Sequence, residues 1–210
     1  MPVTRVKICG LTDAAAVDAA AEAGAAYFGF VFFPKSPRHL SFDAAAALAA
    51  AVPPGRARVA LTVDADDATL DALLAAVPID ILQLHGSEDA ARVAAVRART
   101  GLPVMKAVGV AGPDDLPRLD ATGADMVLVD AKPPPGADLP GGNGLAFDWR
   151  LLDGRTWSVP WMLAGGLTPG TAAEAVARTG ARQLDVSSGV EAAPGRKDPA
   201  LIRAFLAAVP

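Results

Sequence analysis

Val3-Thr4-Arg5-Val6-Lys7-Ile8-Cys9, closed by Gly10 and followed by the alanine-rich run Asp13–Ala23, is a β-rich segment feeding an amphipathic helix. The same unit recurs to the end of the chain. Strands are predicted over Val3–Cys9, Tyr27–Phe32, Arg58–Val63, Ile79–Leu84, Val104–Val108, Asp125–Asp130, Pro160–Ala164 and Gln183–Val186. Helices are predicted over Asp13–Ala23, Phe42–Ala51, Ala68–Ala76, Glu88–Arg99, Asp114–Ala121, Phe147–Leu152, Pro169–Arg178 and Pro199–Ala208. Asp13, Ser41 and Thr168 are capping residues at helix starts, and Gly24 and Gly180 mark helix ends. Eight such units point to an α/β fold, a single closed (β/α)8 TIM barrel, although periodicity by itself also fits an open sheet. No composition break marks a boundary, so residues 1–210 are expected to form one barrel domain. The Pro/Gly-rich stretch from Lys132 to Gly144 follows the sixth strand and reads as an active-site loop.

Bulk composition narrows the function. The 210 residues are 52% hydrophobic and 20% charged, which excludes a disordered chain, and the formal net charge of −4 argues against a nucleic-acid partner. No apolar run approaches the roughly 18 residues of a membrane span, and the N-terminus lacks a secretory pattern. One cysteine cannot close an internal disulfide, and two histidines leave little for a metal site, so none is expected. The cytoplasm is the expected compartment.

Side chains alternate across a strand, so parity sorts the residues. Lys7 and Cys9 should face the barrel interior, with Val6 and Ile8 toward the helices. Gln83 shares a side with His85, opposite Leu82 and Leu84. Asp130 ends the inward set of the sixth strand, with Val127 and Val129 outward, and Asp185 and Ser187 share a side opposite Leu184 and Val186. Polar inward residues therefore collect at C-terminal strand ends, where α/β barrels place their chemistry. Closure also makes the first and eighth strands neighbours, which predicts that Lys7 and Asp185 meet.

Two turns have phosphate-binding character. Ala164-Gly165-Gly166-Leu167-Thr168-Pro169 follows the seventh strand, and Ser187-Ser188-Gly189-Val190-Glu191 the eighth. Glycines let backbone N–H groups approach an anion, and barrel enzymes frequently bind phosphate with these two loops. No lysine or arginine lies within either turn, so the anion is expected to rely on amides. Cys9 alone could be a small buried hydrophobe, and Asp130 alone a turn former. Across a barrel mouth they would form an acid/base couple, as sugar-phosphate isomerisation requires. A modest downward shift from a reference near 8.5 would make the thiolate a usable base. A carboxylic acid at a partly apolar strand end can hold its proton. Arg38, in Lys35-Ser36-Pro37-Arg38, is either a solvated loop residue or a bidentate partner for a substrate carboxylate. His85 reads as a polar rim residue that contacts substrate rather than as a catalyst. Asp64 has no assignment.

Lys7-Ile8-Cys9-Gly10-Leu11-Thr12, Gly29-Phe30-Val31-Phe32 with Ser36-Pro37-Arg38, Gln83-Leu84-His85-Gly86 and Leu128-Val129-Asp130 occur in order. Gly141-Gly142-Asn143-Gly144 with Phe147-Asp148-Trp149, the Gly165-Gly166 turn, and Leu184 to Glu191 with Pro194-Gly195 and Lys197-Asp198 complete the series. This ordered set resembles the phosphoribosylanthranilate isomerase family of (β/α)8 enzymes. The resemblance implies Cys9 as general base and Asp130 as general acid of an Amadori rearrangement in tryptophan biosynthesis. It implies Arg38 at the anthranilate end, and the loops with Gly165, Gly166, Ser187, Ser188 and Gly189 at the phosphate, beside His85 and Asp185. The partner is a phosphorylated small molecule, no metal or organic cofactor is required, and the assembly is a monomer or homodimer. Asn143 and Thr171 depart from the usual family residues, threonine and asparagine. The competing readings are another phosphate-binding barrel enzyme, such as an indole-glycerol-phosphate synthase-like one using Lys106, and a non-catalytic phosphometabolite sensor. The first lacks a strand-end glutamate; the second is disfavoured by the presence of both Cys9 and Asp130.

Overall fold

The computed structural model describes residues 4–210 apart from Pro135, Asp138 and Asn143; Val3, assigned above to the first strand, and the Asn143 departure lie outside the described residues. Eight parallel strands alternate with helices. They are β1 (Arg5–Cys9), β2 (Tyr27–Phe32), β3 (Ala57–Thr62), β4 (Ile81–Leu84), β5 (Val104–Val110), β6 (Met126–Ala131), β7 (Trp161–Leu163) and β8 (Gln183–Val186). They hydrogen-bond in sequence order and close, with β8 against β1. The closing register sets Lys7 opposite Asp185 on one side and Tyr27 on the other.

The helices are α1 (Ala14–Glu22), α2 (Phe42–Ala50), α3 (Asp67–Ala76), α4 (Ala90–Thr100), α5 (Pro117–Asp120), α6 (Ala172–Thr179) and α7 (Pro199–Ala208). Asp13 and Ser41 cap α1 and α2 through their side chains, as do Asp66, Asp89 and Asp198 for α3, α4 and α7. Each such cap satisfies an orphan N–H and is worth about 1 kcal/mol. Three predicted helices are cut back. Pro117 divides the fifth into a 3-10 turn, Pro113–Asp115, and one turn of α5. Phe147–Leu152 yields only a 3-10 turn, Trp149–Leu152. The helix expected from Pro169 starts at Ala172, capped at Thr171 rather than Thr168.

Burial follows parity. Val6, Ile8, Leu82, Leu84, Val127, Val129, Leu184 and Val186 belong to the layer between barrel and helices. Tyr27, Val59, Met105, Leu128 and Met162 fill the barrel itself. An addition to the repeat follows β8: the short antiparallel hairpin β9 (Glu191–Ala193) and β10 (Arg196–Lys197). Among the described residues no helix is long and apolar enough to cross a membrane.

Candidate active site

The C-terminal strand ends surround a cavity of about 760 Å³ that receives Cys9 from β1, Asp130 from β6 and Asp185 from β8. Arg38, His85, Gly165, Gly166, Ser187 and Ser188 also line it. Of the residues expected at the site only Gly189 does not, because it is packed on the Leu167 carbonyl, 1.8 Å from where a Cβ would stand.

On the β1 side, Lys7 is fully buried and its Nζ lies 3.0 Å from Asp185 Oδ1, the pairing that strand parity predicts. Burial works against the Lys7 charge, but Asp185 and the nearby Cys9 outweigh it and raise the ammonium above its usual range. The thiol behaves differently from the sequence expectation. Burial pushes Cys9 up, and although Lys7 pulls it back, Asp185 adds to the rise, so the resting group is a thiol. A strand-end position suggests a wetted side chain; in the fold, Cys9 is only 4% exposed.

Across the mouth, Asp130 Oδ1 accepts a hydrogen bond from the Ala131 N–H at 2.8 Å. Its Oδ2 faces His85 Nε2 at 3.4 Å. Gln83 Nε2 lies 2.9 Å from His85 Nδ1, a contact in which the amide donates when the imidazole carries its proton on Nε2, toward Asp130. Gln83 Oε1 is left buried without a partner among the described residues. The loop after β6 closes on this pair: a Cβ at Gly141 would stand 2.5 Å from His85 Nε2 and 2.8 Å from Asp130 Oδ2.

Arg38 is not a solvated loop residue. Its Nε and Nη2 donate to Glu191 Oε1 and Oε2 at 2.7 and 2.9 Å, and Nη2 reaches the Gly142 carbonyl at 3.3 Å. The bidentate partner anticipated from a ligand is thus supplied by the protein. Burial disfavours the Glu191 charge, but Arg38 and Lys197 hold its carboxyl below the usual carboxylate range. Sequence reading assigned roles to neither Glu191 nor Lys197; the only signal was their place in the ordered motif set. Gly165 and Gly166 adopt left-handed backbone, with φ of +84° and +66°, in the first of the two anion turns. Behind the second turn Lys197 Nζ donates to the Ser187 carbonyl at 2.9 Å, so a cation does stand beside it.

Residues outside the couple build the rim. Asp64 has a left-handed φ of 48°, which Asp tolerates better than most residues, and its Oδ1 accepts from Ser87 N and Oγ at 2.7 and 2.9 Å. Lys106 pairs with Glu88 Oε2 at 3.0 Å and lies outside the cavity lining, which removes it as the lysine of a synthase-like reaction. Among the described residues no cluster of three or more His, Cys, Asp or Glu could hold a metal ion.

Residues 6–208 match the family model described as N-(5'phosphoribosyl)anthranilate (PRA) isomerase. The N-(5'-phosphoribosyl)anthranilate isomerase of Cereibacter sphaeroides (ATCC 17029) is 67% identical over 208 residues, covering 98% of each chain. The dimeric Thermotoga maritima phosphoribosylanthranilate isomerase, crystallised as monomers, superposes with a TM-score of 0.83 at 33% identity over 98% of each chain. Another such isomerase, in complex with reduced 1-(o-carboxyphenylamino)-1-deoxyribulose 5-phosphate, gives a TM-score of 0.82 at 32% identity over 97% of each.

Proposed function

The chain belongs to the N-(5'-phosphoribosyl)anthranilate isomerase family, and from this premise we propose that Cys9 and Asp130 divide the proton transfers of its reaction. The enzyme isomerises N-(5-phosphoribosyl)anthranilate to 1-(2-carboxyphenylamino)-1-deoxyribulose 5-phosphate, the third step of tryptophan synthesis from chorismate. Asp130 protonates the furanose ring oxygen as the bond from that oxygen to C1 breaks, leaving a Schiff base between C1 and the anthranilate nitrogen. The Cys9 thiolate then takes the proton from C2, giving an enolamine, which tautomerises to the ketone with a proton added at C1. The observation that carries this assignment is the opening of Cys9 and Asp130 into one cavity from different strands. Each has a fixed scaffold behind it.

The thiol must ionise before it can act. Lys7 supports that step, since its ammonium lowers the cost of a thiolate in a buried site. Asp130 Oδ1 is tied to the Ala131 amide, and Oδ2, which faces His85 Nε2, is the oxygen that exchanges a proton with substrate. The Arg38 contacts to Glu191 and Gly142 use Nε and Nη2, so Nη1 is the nitrogen offered to the anthranilate carboxylate. The backbone amides near Gly165, Gly166, Ser187 and Ser188 receive the phosphate, with His85 and Asp185 facing the rest of the substrate. We assign the assembly to a monomer or homodimer in the cytoplasm, with no nucleic-acid or membrane partner. Conversion of enzymatically generated phosphoribosylanthranilate, followed by loss of its fluorescence, tests the activity. Unchanged fluorescence with folded protein would reject it.

A further inference from the structure

The β9–β10 hairpin belongs to no strand–helix unit, yet it contributes two of the most buried charges near the cavity. The side chains of Lys197 and Glu191 are 0% and 4% exposed, and that of their neighbour Arg38 is 7% exposed. Lys197 Nζ donates to Glu191 Oε1 at 2.7 Å, beside the two Arg38 contacts to the same carboxylate. It also donates to the Ser187 carbonyl and Oγ at 2.9 and 3.2 Å, and Ser187 Oγ donates to the Cys9 carbonyl at 3.0 Å. One buried network therefore runs from the guanidinium of Arg38 to the second anion turn and on to the backbone of Cys9. With Lys197 protonated its charges alternate plus, minus, plus, and sum to one positive; burial pulls the Lys197 ammonium below its usual range, and Glu191 works against that pull.

The hairpin tip is fitted to this task. Thr12 Oγ1 donates to the Gly195 carbonyl at 3.1 Å. Gly195 takes a left-handed φ of +79°, and a Cβ there would stand 2.4 Å from the carbonyl oxygen of Pro37, the residue before Arg38. A buried ion network rarely outperforms apolar packing of the same volume, so stability alone gives little reason to bury these three groups. Position gives a better one.

We propose that Glu191 and Lys197 are positioning residues that tie the carboxylate-binding Arg38 to the phosphate-binding turn, so that both ends of the substrate are held by one buried network of net positive charge. The proposal rests on the assignment of Arg38 and the two turns to the two ends of the substrate. Two consequences follow from the geometry. The phosphate, which meets no basic side chain within its turns, gains the field of Lys197 through the Ser187 peptide. Filling either end also orders groups that the other end uses, so the two should bind cooperatively.

The test titrates the full-length protein with inorganic phosphate and with anthranilate, separately and together, alongside steady-state kinetics. In the wild type, each probe should bind more tightly in the presence of the other. Lys197→Met should weaken phosphate about tenfold, and Glu191→Gln should weaken anthranilate similarly, the scale of a lost charged hydrogen bond. Each variant should also abolish the cooperativity and raise KM about tenfold or more, with kcat falling less than about threefold. Lys197→Arg, which keeps the charge, should recover phosphate binding to within about threefold. Independent binding of the two probes in the wild type, or variants that change kcat without KM, would overturn the proposal. If Lys197→Met melts below the assay temperature, Glu191→Gln, which keeps side-chain size, decides the proposal by the criteria given for it. Wild-type protein that binds both probes cooperatively but leaves the substrate unconverted would reject the isomerase assignment and keep the network.

Discussion

The two sides of the cavity mouth are built of different materials. Cys9 stands on a scaffold of charges, with the Lys7–Asp185 ion pair beside it and Lys197 behind the neighbouring turn. Asp130 stands among hydrogen-bonding groups with no lysine or arginine in the set: a peptide N–H, the His85 ring, and the carboxamide of Gln83 behind that ring. The difference matches the work proposed for each. A buried thiol that must become an anion needs a cation within reach, because burial alone drives it the wrong way. A carboxyl group that gives its proton to a ring oxygen needs orientation, and the Ala131 amide and the His85 ring supply it.

The largest expected effects test whether the two sides hold the base and the acid at all. Cys9→Ala and Asp130→Asn should each lower kcat by at least about 100-fold, the low end for general acid–base catalysis, while retaining substrate binding. Cys9→Ser should do little better, since a hydroxyl is a far weaker acid than a thiol. Thermal melts would confirm folding. Near-wild-type turnover in Cys9→Ala would reduce the cysteine to packing and end the contrast.

A second experiment sharpens the charged side. Lys7→Met leaves Asp185 unpaired in the interior and should cost about 3–5 kcal/mol in urea unfolding, whereas Lys7→Met combined with Asp185→Leu should recover most of it. Alkylation of Cys9 in the free enzyme should titrate above the ordinary thiol range, near 8.5, because its folded value is raised. The sign follows for stability. The buried neutral thiol stabilises the fold fully below about pH 8.5, and that contribution is lost as pH rises through the higher folded value. Lys7→Met should move the alkylation midpoint further up. A midpoint that falls or stays fixed would show that Lys7 is not what holds the thiolate.

The smallest effect belongs to the Asp130 side. Gln83→Met removes the donor to His85 Nδ1 along with an oxygen that already lacks a partner, so it should cost no more than about 1 kcal/mol. Nitrogen-15 NMR should report the Nε2–H tautomer of His85 in the wild type and a loss of that preference in the variant. A wild-type Nδ1–H tautomer would make His85 the donor to Gln83 and leave Asp130 facing a bare ring nitrogen.

Much of the fold was legible because strand alternation is a strong local signal. Lys7 could be set against Asp185 from parity and closure alone, although 178 residues separate them. The polar strand ends were legible for the same reason. Other features depend on contacts that no local pattern encodes. Glu191, the partner of Arg38, is 153 residues away in a three-residue strand too short to show periodicity. The upward shift of Cys9 comes from the depth of its burial, which a strand-end position does not reveal. The break in the fifth helix reflects Pro117 interrupting an otherwise helical composition.

The pairing of Lys7 with Asp185 also sets a schedule. During synthesis, Lys7 leaves the ribosome 178 residues before its carboxylate does, an interval of roughly 10–35 s at about 5–20 residues per second. Through that interval β1 has a charged inward side chain with no counter-ion and an edge with no eighth strand. The environment of Cys9 therefore cannot be prepared by any early-folding fragment; it comes into being when the last strand of the barrel docks.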